Sequence, residues 1–241
     1  MGFFGNRKIK GPIEVNMGKG VFCNSWSAYA KDCAHDLVVL ADGKFYNLIY
    51  RDSRFQGMAD SLGGPVYPFS EELSKPSSRA DKKKHTKIEI VCIVAGQVLD
   101  VKWGVSDKYL YDAKDKKDYS FNAYGQFFVE IDRADAAGNA DKFYQKLCVE
   151  NGTSVMTNDE LRDKLRAAFE NRIAAVIEKV LLDMDRSLSS FVNVMASEAL
   201  EINKKIYKEV KNLFSSFGIT IVEEASLGSI VERVGVKELI K

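Results

Sequence analysis

The residues from 119 to 131 constrain the fold most, because apolar and polar side chains alternate along them. One set of alternate positions is apolar: Tyr119, Phe121, Ala123, Phe127, Val129 and Ile131. A period of two places these side chains on one face of a β-strand. The opposite set is polar except for two aromatic residues, Tyr124 and Phe128. The pattern predicts one long strand. Gly125 on its apolar face predicts a bulge or a close approach of another backbone.

The period changes to three and four residues after position 158, which is typical of an amphipathic helix. The apolar stripe consists of Leu161, Leu165, Phe169, Ile173, Val176, Ile177, Val180 and Leu181. It predicts a helix over 159–181. A second helix is predicted over 199–217, where Gly218 suits the left-handed position that ends a helix. The apolar residues at 219–222 predict a closing strand.

The first half of the chain predicts shorter strands. Residues 37–41 and 45–50 flank Asp42-Gly43, a dipeptide suited to the positive φ angles of a tight turn, so a β-hairpin is expected there. Residues 88–95 are apolar on both faces, which predicts a central strand of a covered sheet. Residues 97–103 are predicted to be its partner strand.

Strands followed by helices indicate an α+β protein rather than a parallel α/β sheet. We expect an elongated chain in which an antiparallel or mixed sheet subdomain precedes a helix-rich subdomain with a closing strand. The predicted division is an N-terminal segment at 1–36, a β-rich subdomain at 37–135 and an α-rich subdomain at 136–241.

The residue types needed for catalysis or metal binding are sparse. The two histidines are His35 and His85, and no hydrolase, metalloprotease or phosphate-loop motif is present. Cys23, Cys33 and His35 offer three metal-ligating side chains, but their spacing matches no zinc knuckle. We therefore predict no enzymatic activity, no metal and no cofactor. The net charge of +1 gives no electrostatic reason to expect nucleic acid as a partner.

Two charged connections separate the predicted strands. Residues 70–87 include Lys82, Lys83 and Lys84, which form either a basic site for phosphate or lipid headgroups or a solvated loop tip. Residues 112–118 alternate aspartate and lysine and predict a second solvated loop.

The N-terminal residues suggest a contact with a membrane surface. The first ten residues combine apolar and basic side chains: Phe3, Phe4, Arg7, Lys8, Ile9 and Lys10. Such a segment can place aromatic rings at the headgroup boundary while its cations meet anionic lipid. A terminus with no lipid role is the alternative. No apolar run approaches the ~20 residues that a spanning helix needs, so any membrane contact is expected to be peripheral or made through a partner. Four scattered cysteines without a C-x-x-C pair suit the reducing cytoplasm.

Three groups of residues carry a family resemblance: the predicted hairpin at 38–44, the pair of segments 100–104 and 122–127, and the helical segments 160–166 and 213–221. Together they resemble the SPFH or band 7 family of stomatins, prohibitins and flotillins, in particular its bacterial virion-core-protein-like branch. The resemblance covers roughly residues 37–230. It implies an elongated α+β domain with two subdomains, no enzymatic activity, and oligomeric scaffolding at a membrane. The chain departs from the family pattern at Tyr50-Arg51-Asp52-Ser53, where a Pro-Gly-Arg-Tyr-like turn is expected.

The predicted function is a non-enzymatic scaffold domain that self-associates at or near the cytoplasmic face of a membrane. Its expected partners are further copies of the chain, anionic lipid headgroups and a protein. The alternative is a soluble protein-binding module without a membrane role, whose sheet edge or charged loops recruit a partner.

Overall fold

The computed structural model describes residues 17–29, 39–40, 44–59, 65–66, 87–183, 187–188, 196–222, 226 and 229–239. The strands are β1 (Val21–Tyr29), β2 (Val39–Leu40), β3 (Phe45–Arg51), β4 (Arg54–Ala59), β5 (Pro65–Val66), β6 (Lys87–Val94), β7 (Leu99–Asp112), β8 (Lys117–Ile131), β9 (Val155–Thr157), β10 (Ile219–Ile221) and β11 (Arg233–Glu238). The helices are α1 (Ala136–Phe143), α2 (Asn158–Asp183) and α3 (Ala196–Val210). Because every strand pairing is antiparallel, the predicted α+β class with antiparallel sheets is confirmed.

The chain forms two compact units, and each unit draws on two separate stretches of sequence. Unit 1 contains the described residues up to Gly96 together with Arg133–Asn158. Unit 2 contains Gln97–Asp132 and the described residues from Asp159 onward. The units therefore alternate along the chain, whereas the sequence predicted consecutive segments with boundaries at 36 and 135.

Unit 1 contains a five-stranded sheet with the order β4-β3-β6-β1-β9. The central strand is β6, in which Ile88, Ile90 and Ile93 are at most 2% exposed. The predicted central strand at 88–95 is therefore confirmed. The ring of Phe143 in α1 packs on Phe22 of β1, with 5.3 Å between the ring centroids.

Asp42-Gly43 lies outside the described residues, but the predicted pairing of the two strands that flank it is wrong. β2 pairs with β5, and β3 pairs with β4 and β6. The tight turn that follows β3 uses Asp52 and Ser53, both at positive φ (48° and 61°), as a two-residue hairpin turn requires. Asp52 also exchanges two hydrogen bonds with the backbone of Lys87, each 2.8 Å long, which tie this turn to the start of β6.

Residues 97–103 were expected to pair with the preceding strand, and this expectation is also wrong. Leu99–Trp103 begin β7, which belongs to unit 2 and pairs with β8. The reason is the match between two alternating patterns. Leu99 lies opposite Val129, and Val101 lies opposite Phe127, so that apolar residues of both strands share one face.

In unit 2, β8 is the central strand of the sheet. β7 pairs with one of its edges, while β10 and β11 pair with the other. All six apolar positions predicted for residues 119–131 are buried, which confirms the strand and its inner face. On that face, Phe127 contacts Phe214 (5.5 Å between ring centroids), and Phe214 contacts Phe169 of α2 (4.1 Å). An aromatic core therefore joins the sheet to the helix.

The helices of unit 2 agree largely with those predicted from the sequence. α2 confirms the predicted helix at 159–181, and its stripe is buried except at Val176, which is half-buried. α3 ends at Val210, earlier than the predicted 217, and turns followed by a 3-10 helix (Ser215–Phe217) lead from it to Gly218. Gly218 has the expected left-handed conformation, with φ of 69°, and β10 follows as predicted.

Candidate docking surface on the sheet of unit 2

The outer face of the unit 2 sheet lies opposite the aromatic core. Tyr124 occupies the middle of β8 on this face and is 48% exposed. Its neighbours across the sheet are Gly104 of β7 and Arg233 of β11, and Gly235 lies opposite Asn122. Because two glycines lie beside this exposed aromatic side chain, the sheet backbone is accessible around it.

The first half of β7 has a covered edge. The backbone carbonyl of Asp100 accepts a hydrogen bond from Nε of Arg162 (3.0 Å), and that of Lys102 accepts one from Nε of Arg166 (2.9 Å). These carbonyls point away from β8, which identifies the free side of the strand. Two arginines one turn apart on α2 thus occupy backbone acceptors that could otherwise pair with another strand.

The same arginine also holds the side chain of Asp100. Nη2 of Arg162 lies 2.8 Å from Oδ1 of Asp100, while Nη1 lies 2.8 Å from Asp159. Partial burial alone would raise the pKa of Asp100, but the hydrogen bond and charge of Arg162 outweigh this effect and lower it. The carboxylate is therefore charged at neutral pH and keeps the guanidinium in place.

The second half of β7 is interrupted by a β-bulge. The register with β8 shifts between Val105 and Lys108, and Asp107 has a φ of 51°. The backbone N–H of Asp107 donates to Oδ1 of Asn122 at 2.7 Å. Bulges of this kind break the regular hydrogen-bonding pattern of an edge strand.

The opposite edge of the sheet is β11, and it is organised differently. Among the residues that the structure describes, no strand pairs with the side of β11 that faces away from β8. The backbone N–H of Leu239 donates to the carbonyl of Asp118 (2.8 Å), which fixes the phase of the hydrogen bonds between the strands. By the alternation of an antiparallel pair, Val234 and Val236 direct their backbone groups away from β8, yet both residues are at most 3% exposed with their main chain included, so this edge is covered as well. Their side chains are buried on the inner face.

A groove of about 520 Å³ runs along β11 on the outer face. Its lining residues are Asn122, Tyr124, Arg233, Gly235, Val236, Lys237 and Glu238. Among the described residues, no atom lies within 4 Å of the position that a Cβ atom would take on Gly235. The groove thus combines an open backbone floor with an aromatic wall and two basic side chains.

The charge of the groove is positive. The carboxylate of Glu238 lies 2.9 Å from Nζ of Lys117, outside the groove lining, so a cation already balances it. The other charged side chains of the lining are Arg233 and Lys237, and both are exposed. The groove therefore favours an acidic ligand over a basic one.

The position of β11 is set by contacts just before it. Nε1 of Trp103 donates to the carbonyl of Ile230 at 2.9 Å. Asn203 of α3 brackets Val231, accepting from its N–H (2.6 Å) and donating to its carbonyl (3.1 Å). The predicted close approach at Gly125 is confirmed: a Cβ atom there would lie 2.0 Å from the Ile230 carbonyl oxygen. Because Gly125 has no side chain, the backbone of Ile230 can lie against it, and this contact positions β11 beside β8.

Unit 1 contains a second group of polar side chains, in which tyrosines pair with carboxylates. The Tyr50 hydroxyl donates to Asp141 at 2.6 Å, and the Tyr144 hydroxyl donates to Glu89. Burial, and then the hydrogen bond to the carboxylate, raises the pKa of each tyrosine above its usual range. Both hydroxyls therefore stay protonated near neutral pH, and the pairs hold α1 and the turn after it on the sheet.

Three buried thiols also lie in unit 1. Sγ of Cys23 lies 3.8 Å from Sγ of Cys148, and the Cys92 thiol donates to Oδ1 of Asn47 at 3.1 Å. Burial raises the pKa of Cys92 to about 12. The contact with Cys148, followed by burial, raises the pKa of Cys23 well above its usual range. Thiols held in the protonated form are poor nucleophiles and poor metal ligands.

The structure brings together few of the residues that the sequence singled out. Phe3, Phe4, Arg7, Lys8, Ile9 and Lys10 lie outside the described residues, and so do Lys82, Lys83, Lys84, Cys33, His35 and His85. Cys23 lies in the buried part of β1. In the described part of the chain, no three His, Cys, Asp or Glu side chains lie close enough to hold a metal ion.

The groove itself was not predicted from the sequence. One signal for it was present, since Tyr124 interrupts the polar face of β8 with an aromatic ring. The alternation of Val234 and Val236 was the other signal, because it marks a short half-buried strand.

Comparison with models of known protein families and with curated proteins finds no match to this sequence. None of the helices in the described ranges combines the length and apolar character needed to cross a bilayer.

Proposed function

We propose that the chain is a non-enzymatic protein-binding domain that docks a partner in the groove along β11. The observation that carries this proposal is the open floor of the groove beside an exposed aromatic ring. No described atom lies within 4 Å of the position that a Cβ atom would take on Gly235, and Tyr124, which lines the same groove, is 48% exposed. Tyrosine is enriched where proteins contact each other.

The polar pairs of unit 1 favour a structural role over catalysis. A catalytic acid or base must exchange its proton near the operating pH. Tyr50 and Tyr144 instead have raised pKa values and hold carboxylates between packed elements. The proposal therefore assigns the chain no chemical step.

Peptide selection tests the docking surface without assuming a partner. A random peptide library is displayed on phage and selected against the wild-type chain, with counter-selection against Gly235→Val. The valine occupies open space in an extended strand, so it blocks the groove without disturbing the fold. We expect clones that bind the wild type and lose binding to the variant. Clones that bind both proteins equally, or a failure to enrich any clone, would refute the assignment of this surface.

A self-associating scaffold at or near the cytoplasmic face of a membrane is the second proposal. It is supported by the resemblance to the SPFH family and by the confirmed order of long strand, long helix, second helix and closing strand. Phe3, Phe4 and Ile9, together with Arg7, Lys8 and Lys10, are the residues proposed to contact anionic lipid.

Two measurements test this second proposal. Size-exclusion chromatography with light scattering should show a mass above the 27.0 kDa of one chain. Flotation with vesicles containing phosphatidylserine should carry the full-length chain upward, and deletion of residues 1–10 should abolish flotation without changing the circular dichroism spectrum. A monomer that never floats would leave the soluble binding module as the remaining function.

A further inference from the structure

The groove along β11 has an open floor beside an aromatic ring. Gly235 forms this floor and lies directly opposite Asn122 on β8. Tyr124 is two residues further along β8, which makes it a diagonal neighbour of Gly235, with about 7–8 Å between their Cα atoms. Its exposed ring lines the same groove. A second ring placed over Gly235 therefore lies within stacking distance of the Tyr124 ring.

The floor is held in place by the sheet around it. Gly235 belongs to a strand paired with β8, and Oδ1 of the neighbouring Asn122 accepts the backbone N–H of Asp107 at 2.7 Å. These contacts exist before any partner arrives. A side chain that enters the space above Gly235 thus meets a preorganised surface, which reduces the entropic cost of binding.

Lys237 supplies a cation beside this floor. It is exposed, lines the groove and follows Gly235 by two residues, which is about 7 Å along the strand. Within the described part of the chain, no carboxylate forms an ion pair with Lys237, whereas Glu238 is paired with Lys117. A partner that carries a carboxylate about 7 Å from its ring would bring opposite charges together here.

We propose that the partner is an extended segment that inserts an aromatic side chain over Gly235, against Tyr124, and places an acidic side chain two residues away on Lys237. This inference rests on the proposed function and names the chemistry of the partner. The segment docks through side chains on the outer face of the sheet and uses no backbone group of the covered β11 edge. Aromatic side chains in well-packed pockets are enriched among the residues that dominate binding energy at protein interfaces.

Fluorescence anisotropy with designed peptides tests the proposal. The probe is a fluorescein-labelled peptide containing Glu-Ser-Phe-Ser-Glu, in which either chain direction brings one glutamate to Lys237. One matched peptide replaces the phenylalanine with alanine, and another replaces both glutamates with lysine. We expect the alanine peptide to bind at least about 10-fold more weakly than the probe, because it lacks the anchor. The lysine peptide should lose at least about 10-fold as well, because like charges repel.

Two pairs of protein variants provide matched controls. Tyr124→Ala removes the aromatic wall and should weaken binding of the probe at least about 10-fold. Tyr109→Ala removes an exposed tyrosine of β7 that does not line the groove, and it should leave binding unchanged. Lys237→Glu should weaken binding to a similar degree, whereas Lys204→Glu makes the same change of charge at an exposed position of α3 and should not. Thermal melts verify that the variants remain folded, and the matched peptides decide the question where one does not.

The outcomes separate this inference from the function on which it rests. The aromatic and acidic anchors are refuted if either matched peptide binds as tightly as the probe, or if folded Tyr124→Ala or Lys237→Glu binds the probe as the wild type does. They are also refuted if the probe does not bind at concentrations up to about 1 mM, the weakest affinity of interest. In each case, phage clones that still depend on the open Gly235 groove would keep the docking surface as the proposed function. Without such clones, both proposals fail.

Discussion

Replacement of Gly125 by alanine should destabilise unit 2, although it adds only a methyl group. The new Cβ atom would lie 2.0 Å from the carbonyl oxygen of Ile230 and 2.8 Å from that of Ser229. Real Cβ atoms essentially never lie within 3.0 Å of such an atom, so the Ile230 carbonyl must move by at least about 1 Å. Both obstructing groups are backbone, which cannot rotate away as a flexible side chain can.

The size of the effect follows from what this movement breaks. The Ile230 oxygen accepts the 2.9 Å hydrogen bond from the Trp103 indole, and a buried donor left without a partner costs about 1–3 kcal/mol. Overpacking in a filled core costs about 1–3 kcal/mol more. Alanine also lowers the conformational entropy of the unfolded chain, and this offsets the loss in the free energy of unfolding by about 0.4–1 kcal/mol. We therefore expect a net loss of about 1–6 kcal/mol in the free energy of unfolding.

Urea unfolding followed by tryptophan fluorescence measures this loss. Trp26 lies in unit 1 and Trp103 in unit 2, so the Trp26→Phe background leaves a single reporter beside the altered site. Gly104→Ala is the matched control, since its Cβ atom would meet nothing closer than 3.6 Å. The control should change stability by less than about 1 kcal/mol. Equal unfolding midpoints for the two variants would refute the close approach of Ile230 to Gly125.

Three further predictions concern the core, the thiols and the covered edge. Phe169→Ala should lower the free energy of unfolding by about 3–5 kcal/mol, since the ring is 1% exposed and lies 4.1 Å from that of Phe214; a loss below about 1 kcal/mol in urea titration would contradict this. Because burial raises the pKa of Cys92 to about 12, the folded chain keeps a proton that the unfolded chain releases near pH 9. The contribution of the protonated Cys92 thiol to the free energy of unfolding should therefore be fully present below pH 9. Above pH 9 the free energy of unfolding should fall by up to about 1.4 kcal/mol per pH unit because of this thiol. Cys92→Ala should make the fall shallower when unfolding is measured under reducing conditions, and an unchanged slope would contradict the assignment. Arg162→Met should uncover the β7 edge and promote self-association, visible as a concentration-dependent mass in light scattering, and a variant as monodisperse as the wild type would contradict the role given to the arginine.

Long periodic segments were predictable from the sequence because their burial follows from local pattern alone. β8 alternates over most of its length, and α2 carries an apolar stripe of several turns, so each buries mainly one face. Gly125 and Gly218 were predictable for a similar reason, since each glycine lies where a side chain would be costly. The hairpin at Asp42-Gly43 failed because a turn signal does not determine which strands pair. β3 found longer apolar partners in β4 and β6.

The docking surface depends on contacts that local pattern does not encode. Arg162 and Arg166 resemble any charged pair on a solvated helix face, yet their guanidinium groups reach backbone carbonyls 62 and 64 residues earlier in the chain. β11 has only two apolar side chains, and Gly235 between them weakens the strand pattern. Which groups cover the edges of the sheet can be determined only once the sheet has been assembled.

The two edges of the unit 2 sheet limit what the sheet can build by itself. Continuous stacking of one sheet on the next requires that the free edge of one chain meet a free edge of another. β7 presents carbonyls bound by Arg162 and Arg166, followed by a bulge at Asp107. In β11, Val234 and Val236 direct their backbone groups away from β8 but are at most 3% exposed with their main chain included. Pairing of two copies through these edges would therefore have to break existing contacts, which protects the sheet from polymerising edge to edge.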